Sequence, residues 1–382
     1  MTSPIDILFQ PFELKNLKLR NRFVMSPMTR SFSPGGIPGE NVAAYYRRRA
    51  AADVGLIITE GIGVDHPSAL GAGSMGERDV PVLHGDSVAA WAKVAAGVHA
   101  QGGAIIPQLW HMGGIRRPGT GPFPQCPSMR PSGIWGPTEK AMLPPDYLLE
   151  VSTPTAPMSE NDIAGVIAAY ARSAANAKVA GFDGVAIHAA HGYLIDSFFW
   201  PGTNLRNDAW GGDITRRGRF GVEVVKAVRA AIGPDLPIIL RFSQWKLQDY
   251  DARNAQTPEE LSALLVPLAD AGVDLFDAST RKFATPAFEG SDMGLAGWAK
   301  KLTGKPTMAV GGIGLDKDLQ TSFMEETRMV NNLDVAAARM ARGEFDLAGM
   351  GRALIMDPEW VLKARGGEAF QPFRLQAYGA LD

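Results

Sequence analysis

Three side chains able to donate a proton or a hydrogen bond lie within six residues of the chain. His188, His191 and Tyr193 follow an apolar run at 185–187, which Gly184 precedes. Such a run, bounded by glycine and polar residues, is typical of a buried strand. A neutral imidazole donates one hydrogen bond, and a phenol with a pKa of about 10 is protonated at neutral pH. The pattern therefore predicts a site that holds a substrate oxygen and delivers a proton.

Zinc binding is a competing interpretation of the two histidines, because histidines three residues apart can both ligate that metal. A catalytic zinc site needs a further histidine or a carboxylate cluster nearby, and neither is obvious in this sequence. The remaining histidines are scattered along the chain, as His66, His84, His99 and His111. Core histidines bonded to the backbone are a third interpretation, which suits a single histidine better than two followed by a tyrosine. We therefore expect no metal.

Two later apolar runs end in glycine. Gly311 and Gly312 follow one of these runs, and Gly351 and Arg352 follow the next. Glycine lets backbone N–H groups approach a phosphate closely, and a guanidinium group can bind phosphate oxygens in a bidentate manner. The pattern predicts a phosphate site, with ordinary turn glycines and a solvated arginine as the alternative.

Gln108 and Arg241 also end apolar runs. An amide presents a donor and an acceptor side by side, which suits the edge of a pyrimidine-like ring. An arginine is costly to bury unless it faces an anion or a polarised carbonyl group. A flavin would satisfy both side chains, since a cation near N1 and O2 stabilises the reduced ring. An ion pair between Arg241 and Asp277 is the alternative.

The elements that position these residues alternate along the chain. Apolar runs predict eight strands, at 23–25, 56–59, 104–110, 185–187, 237–242, 274–278, 307–310 and 347–350. Helical patterns follow at 42–53, 87–99, 159–180, 215–232, 257–272 and 293–302, and Asn41 is the predicted cap of the first. A long helical pattern after the seventh strand runs to about Arg342, and one more helix begins after Asp357. No G-x-G-x-x-G follows the first strand, which argues against a doubly wound dinucleotide-binding fold.

The predicted fold class is α/β, a (β/α)8 TIM barrel in which the carboxyl ends of the strands face the active site. We expect a single domain over residues 1–382. Residues 111–158 are rich in proline and glycine and too long for a plain connector, so we interpret them as a lid or excursion.

Composition excludes several classes of protein. The 382 residues include 46% hydrophobic and 20% charged residues, as in a globular protein with a sizeable core. The net charge of −2 lacks the basic excess that is typical of nucleic-acid-binding proteins. A single cysteine, Cys126, rules out an internal disulfide and a four-cysteine iron–sulfur cluster. The amino terminus lacks a signal-peptide pattern and no run of about 18 apolar residues occurs, so we expect a cytoplasmic protein without a membrane span.

The motifs around these residues resemble those of the Old Yellow Enzyme family of FMN-dependent ene-reductases, from Leu14 to about Leu362. The matching segments are LRNRFVMSPMTR at 19–30, IITEG at 57–61, PQLW at 107–110, GVAIHAAHGY at 184–193, NLRNDAWGG at 204–212 and GMGR at 349–352. The second histidine position of this family carries His or Asn. His191 occupies it here, although Thr29 and Trp110 match the branch that usually has Asn.

The resemblance implies a role for each site residue. The flavin ring and ribityl chain would be held by Pro27, Met28, Thr29, Gly61, Gln108 and Arg241. The FMN phosphate would be held by Gly311, Gly312, Gly351 and Arg352. His188 and His191, with Trp110, would bind the carbonyl group of an enone or enal, and Tyr193 would protonate its α-carbon. NADPH or NADH would reduce the flavin, which would then pass hydride from N5 to the β-carbon.

Two other functions stay open from the sequence. One is a flavin-binding redox sensor or phenol-binding protein with incidental turnover. The other is a metal-dependent hydrolase on the same barrel. We expect a small-molecule substrate as the partner, and neither a nucleic acid nor a membrane. We expect the protein to be a monomer or a homodimer.

Overall fold

Eight parallel strands close a barrel in this protein, whose computed structural model describes residues 3–74 and 76–382. The strands are β1 (Phe12–Leu14), β2 (Leu17–Leu19), β3 (Phe23–Met25), β4 (Leu56–Gly63), β5 (Ala104–Trp110), β6 (Val185–His191), β7 (Ile238–Lys246), β8 (Leu275–Ser279), β9 (Thr307–Val310) and β10 (Leu347–Met350). The first two form an antiparallel hairpin, and β3 to β10 form the barrel.

Helices separate successive barrel strands. They are α1 (Glu40–Ala51), α2 (Ser87–His99), α3 (Pro145–Ser152), α4 (Glu160–Val179), α5 (Leu194–Phe199), α6 (Ile214–Ile232), α7 (Pro258–Ala271), α8 (Leu295–Thr303), α9 (Leu333–Ala341), α10 (Arg352–Met356) and α11 (Trp360–Gly366). At least one helix lies between each pair of consecutive strands from β3 to β10, so the predicted (β/α)8 barrel is confirmed.

Four strands, β3, β5, β9 and β10, begin and end at the predicted residues, whereas β4, β6 and β7 extend beyond them. The extension of β6 matters most, because it places His188 and His191 inside the strand. Pairing with β7 continues past the apolar run to Ala189, and after an irregularity His191 pairs with Lys246. Backbone hydrogen bonds to β7 therefore extend β6 beyond its apolar run into the polar residues that follow.

One helix start was predicted too late. Helix α1 begins at Glu40 with Gly39 as its N-cap, so the predicted cap Asn41 lies in the first turn. Gly39 has an extended backbone (φ −91°, ψ −177°), and the chain becomes helical directly after it.

The long helix expected up to Arg342 is wrong over most of its length. Only α9 is helical, and residues 311–332 form an irregular loop with one 3-10 turn, Thr321–Phe323. Gly314 has a φ of +82°, and its N–H donates to Asn332 Oδ1 at 3.0 Å, while Asn332 Nδ2 donates to the Gly312 carbonyl at 2.8 Å. These side-chain bonds to the backbone replace helical ones.

The excursion at 111–158 contains a short helix that the sequence did not reveal. Helix α3 has only eight residues and starts at a Pro-Pro pair, so its periodicity is weak. Its Tyr147 hydroxyl donates to the Ile115 carbonyl at 2.7 Å, and the Tyr147 ring lies edge-on to Trp135. The excursion thus has a small apolar cluster of its own.

The barrel interior is filled at its amino-terminal end. Side chains from β3 to β10 such as Ile58 and Ile239 pack in one buried cluster with Leu17 and Leu19 of the hairpin. Because β2 plugs this end, the opposite face is the one left for a site. Within the described residues no helix is both long and apolar enough to span a membrane.

Candidate active site

A cavity of about 120 Å³ lies at the carboxyl ends of five neighbouring barrel strands. Its lining consists of Pro27, Met28, Thr29, Gly61, Gln108, Trp110, His188, His191, Tyr193 and Arg241. All ten are residues that the sequence analysis selected for flavin or substrate binding. The structure therefore brings together every residue predicted for the flavin ring and for the substrate, whereas the residues predicted for the phosphate lie outside this lining.

Close packing of Gly61 against Trp110 shapes one wall of the cavity. A Cβ atom on Gly61 would lie 2.5 Å from Trp110 Cε3, so any larger residue would displace the indole ring. The neighbouring strands β4 and β5 pair Gly61 with Gln108 and Gly63 with Trp110. Glycine at this strand position therefore lets a flat aromatic side chain stand beside the cavity.

The proton-bearing side chains form one ring cluster. The ring centroid of His188 lies 5.0 Å from that of His191 and 4.9 Å from that of Tyr193, and Tyr193 lies 4.9 Å from Trp110. Burial, reinforced by nearby positive charge, lowers the pKa of both histidines well below the usual value. Burial raises the pKa of Tyr193 well above its usual value. At neutral pH all three side chains are uncharged, and each can donate a hydrogen bond.

The turn that carries these groups has an unusual backbone. His191 has a φ of +66° and Gly192 a φ of +84°, and the first of these is strained for a residue with a side chain. The His191 N–H donates to Ser243 Oγ at 2.9 Å, and the Leu247 N–H donates to the His191 carbonyl at 3.2 Å. The Gly192 N–H donates to Asp196 Oδ2 at 2.7 Å. Three hydrogen bonds therefore hold the strained turn.

Asp196 is part of a fully buried ion pair. Its carboxylate lies 2.7 Å from Lys246 Nζ, and both side chains have 0% exposure. Asn254 Nδ2 donates to Asp196 Oδ1 at 2.8 Å. Burial raises the pKa of Asp196 and lowers that of Lys246, while their mutual attraction opposes both shifts. We name Ser243, Asp196 and Lys246 the turn clamp. Sequence reasoning missed it, since Ser243 lies 52 residues from His191 and Lys246 lies 50 residues from Asp196 along the chain.

Arg241 has two sides with different surroundings. Its Nε atom pairs with Asp277 Oδ2 at 2.5 Å, as expected for residues opposite each other on β7 and β8. The alternative partner considered from the sequence is thus present. Arg241 nevertheless lines the cavity, and its buried Nη2 has no hydrogen-bond partner among the described residues. The ion pair orients the guanidinium group and leaves Nη2 available to a ligand.

Two further cavity side chains carry buried donors without partners. Gln108 Nε2 and Trp110 Nε1 make no hydrogen bond within residues 3–74 and 76–382. Unpaired buried donors are costly, so natural sites that retain them commonly bind a ligand with acceptor atoms. Together with Arg241 Nη2 they suit a flat ring bearing carbonyl oxygens and ring nitrogens. The residues present therefore fit the predicted flavin.

The residues predicted to bind the phosphate lie next to the cavity but are not part of its lining. Gly311 and Gly312 follow β9 and have φ values of +133° and +79°, and Gly351 precedes Arg352 after the adjacent β10. Arg352 Nη1 donates to Ser322 Oγ at 2.7 Å. Its guanidinium group thus contacts the 311–332 loop, and its role toward a phosphate stays a prediction.

A buried carboxylate supports the loop after β3, and the sequence analysis did not select it. Glu60 Oε2 accepts hydrogen bonds from the backbone N–H groups of Arg30 at 2.8 Å and Ser31 at 3.1 Å. These residues directly follow Thr29. Burial raises the pKa of Glu60 to about 7. The only sequence signal was a charged residue directly after the predicted apolar strand at 56–59.

Comparisons with known proteins agree with this geometry. The model of the NADH:flavin oxidoreductase / NADH oxidase family matches residues 7–370. A metal reductase of Desulforamulus reducens is 32% identical over 96% of this chain and 50% of its own length. The chanoclavine-I aldehyde reductase fgaOx3 of Penicillium roqueforti is 32% identical over 96% of this chain and 91% of its own. The chain spans about half of the metal reductase and of an NADH oxidase from Thermoanaerobacter brockii.

Solved structures give the same result. Morphinone reductase in complex with tetrahydroNAD superposes with a TM-score of 0.79 at 27% identity, over 98% of this chain and 96% of that one. The old yellow enzyme homologue from Zymomonas mobilis gives a TM-score of 0.78 at 25% identity, over 98% of both chains.

Proposed function

The chain belongs to the NADH:flavin oxidoreductase / NADH oxidase family, and from this premise we propose that it reduces the activated C=C bond of an enone or enal. Membership confirms the resemblance to the Old Yellow Enzyme family and, at family level, an FMN-dependent oxidoreductase that takes electrons from NAD(P)H. The substrate class and the role of each residue in this chain are our proposal.

The flavin ring would be held by the cavity residues with buried, unpaired donors, Gln108 and Arg241, and by the Pro27–Met28–Thr29 loop and Gly61. Gly311, Gly312, Gly351 and Arg352 would hold the phosphate. Bound FMN would supply hydride transfer from NAD(P)H to the β-carbon of the substrate.

The histidine pair would hold the substrate oxygen. Both imidazoles are neutral, so each offers one N–H without adding a charge that would bind anions indiscriminately. Two donors aimed at one carbonyl oxygen stabilise the negative charge that develops there as the β-carbon accepts hydride. His188 and His191 would therefore polarise the double bond and position it.

Tyr193 would complete the reaction by giving its phenolic proton to the α-carbon. Its high pKa keeps the proton in place until charge develops on the substrate. The edge-on contacts with Trp110 and His188 fix the ring in the cavity.

One observation carries the proposal: unpaired ring-binding donors and the His–His–Tyr cluster line the same cavity. A pure flavin sensor or phenol binder would need the donors but not a buried proton donor. A metal-dependent hydrolase would need a ligand set, and within the described ranges no group of three His, Cys, Asp or Glu side chains is placed to hold a metal ion.

The test is product analysis with purified protein. Protein loaded with FMN is incubated anaerobically with NADPH or NADH and 2-cyclohexenone. We expect cyclohexanone to form in step with nicotinamide oxidation. Consumption of nicotinamide only when oxygen is present, with the enone unchanged, would favour a sensor or oxidase instead.

A further inference from the structure

We propose that Ser279 sets the tautomer of His191, so that the ring proton resides on Nδ1 and is available to the substrate oxygen. This inference rests on the proposed function, because only that function requires His191 to donate to a carbonyl group. Ser279 does not line the cavity and would act through His191, which makes it a positioning residue.

The contact that carries the inference joins β6 to β8. His191 Nε2 lies 2.9 Å from the Oγ atom of Ser279, which is the last residue of β8. Ser279 is buried, with a relative exposure of 5%. Within the described residues His191 Nδ1 makes no hydrogen bond. Since His191 lines the cavity, Nδ1 is the ring nitrogen that remains for a ligand.

The tautomer follows from which ring nitrogen of His191 must donate a hydrogen bond and which must accept one. A neutral imidazole has one N–H donor and one acceptor nitrogen, whereas a carbonyl oxygen only accepts. For His191 to hold such an oxygen through Nδ1, its Nε2 must accept a hydrogen bond. The Ser279 hydroxyl can donate that bond, because a hydroxyl rotates to either role.

Packing holds the plane of the His191 ring. The indole of Trp245 stacks on His191 with a centroid distance of 4.2 Å and an interplanar angle of 22°, and His188 lies edge-on at 5.0 Å. Trp245 is itself stacked on Tyr250 at 5.4 Å. With the ring held in this way, a hydrogen bond donated by the Ser279 hydroxyl to Nε2 places the ring proton of His191 on Nδ1.

The Ser279 backbone offers a clean separation of roles. Trp245 Nε1 donates to the Ser279 carbonyl at 3.2 Å. Ser279→Ala keeps that carbonyl, and hence the stacking of Trp245 on His191, while it removes the hydroxyl alone.

The experiment reads the tautomer directly by ¹⁵N NMR of histidine-labelled, FMN-loaded protein, with His191→Asn used to assign the signals. We expect wild-type His191 to be protonated at Nδ1, a mixture of tautomers in Ser279→Ala, and return to Nδ1 in Ser279→Thr. 4-Chlorophenol, monitored by flavin absorbance, should bind about threefold to tenfold more weakly to Ser279→Ala, as for one lost hydrogen bond.

Protonation of wild-type His191 at Nε2, or an unchanged tautomer in Ser279→Ala, would overturn the inference. The wild-type reading decides even if a variant does not fold. Failure of the proposed function would look different, because the enone would remain unreduced whatever the NMR spectrum showed.

Discussion

At the scale of single residues, the site depends on keeping potentially charged groups neutral. Burial pushes the pKa values of His188 and His191 down and that of Tyr193 up, so each shift favours the uncharged form. A neutral donor can hold a carbonyl oxygen and still release it after reaction. Glu60 follows the same rule under the flavin-side loop, since burial favours its protonated form.

Removing one oxygen atom tests the proton donor. Tyr193→Phe keeps the ring in contact with Trp110 and His188 but has no proton to give. We expect flavin reduction by NADPH at the wild-type rate and reoxidation by 2-cyclohexenone slower by about 10²- to 10⁴-fold. Stopped-flow measurement of the two half-reactions separates these rates. Equal losses in both would mean that Tyr193 shapes the cavity rather than supplies a proton.

A pH-dependent stability difference tests Glu60. Its pKa rises from an ordinary 4.5 to about 7 in the folded protein, so the folded state holds the proton more tightly than the unfolded state. As pH rises through this window, the free energy of unfolding of the wild type should fall by about 3 kcal/mol relative to Glu60→Gln. Urea unfolding at pH 4.5 and pH 8 measures it. The exposed Glu13→Gln is the matched control, and parallel profiles for wild type and Glu60→Gln would refute the assignment.

At the scale of elements, β7 and α5 hold the end of β6. The extension of β7 beyond its apolar run supplies Ser243 and Lys246 of the turn clamp, and the first turn of α5 supplies Asp196. These bonds stabilise the left-handed backbone of His191. The catalytic turn is therefore positioned by a neighbouring strand and the following helix rather than by its own sequence.

The buried ion pair of the clamp gives an element-scale prediction. Lys246→Met would leave Asp196 buried without its cation, and we expect the free energy of unfolding to drop by about 3 to 5 kcal/mol. Adding Asp196→Asn removes the unpaired charge and should restore part of the loss. Lys226→Met, which breaks an exposed pair with Glu223, is the control and should cost less than about 1 kcal/mol. Urea unfolding of the four proteins decides; a loss in Lys246→Met no larger than in the control would contradict the clamp.

At the scale of the whole molecule, the barrel and its cavity were predictable because both follow from local patterns. Each strand has its own apolar run, and the residue after a run faces the common end of a parallel barrel, which placed Gln108 and Arg241 correctly. What escaped prediction depends on contacts between distant segments. Ser279 acts through His191 on β6, Lys246 acts through Asp196 on α5, and the 311–332 loop owes its shape to bonds from Asn332.

The phosphate end of the cofactor site is a prediction at the same scale, because it requires β9, β10 and the 311–332 loop to act together. Arg352→Ala should weaken FMN binding by about 10- to 100-fold, as expected for lost charge-assisted hydrogen bonds. Riboflavin, which lacks the phosphate, should bind the variant and the wild type equally. Fluorescence titration of both ligands makes the comparison. A matching loss for riboflavin would assign Arg352 to the structure of the loop instead.

The oxidative half-reaction tests the central claim most directly. FMN-loaded protein is reduced anaerobically with one equivalent of NADPH and then mixed with 2-cyclohexenone in the absence of oxygen. We expect the absorbance of oxidised flavin to return as cyclohexanone forms in equal amount. Flavin that stays reduced until oxygen is admitted, with the enone unchanged, would contradict an enone-reducing function for this cavity.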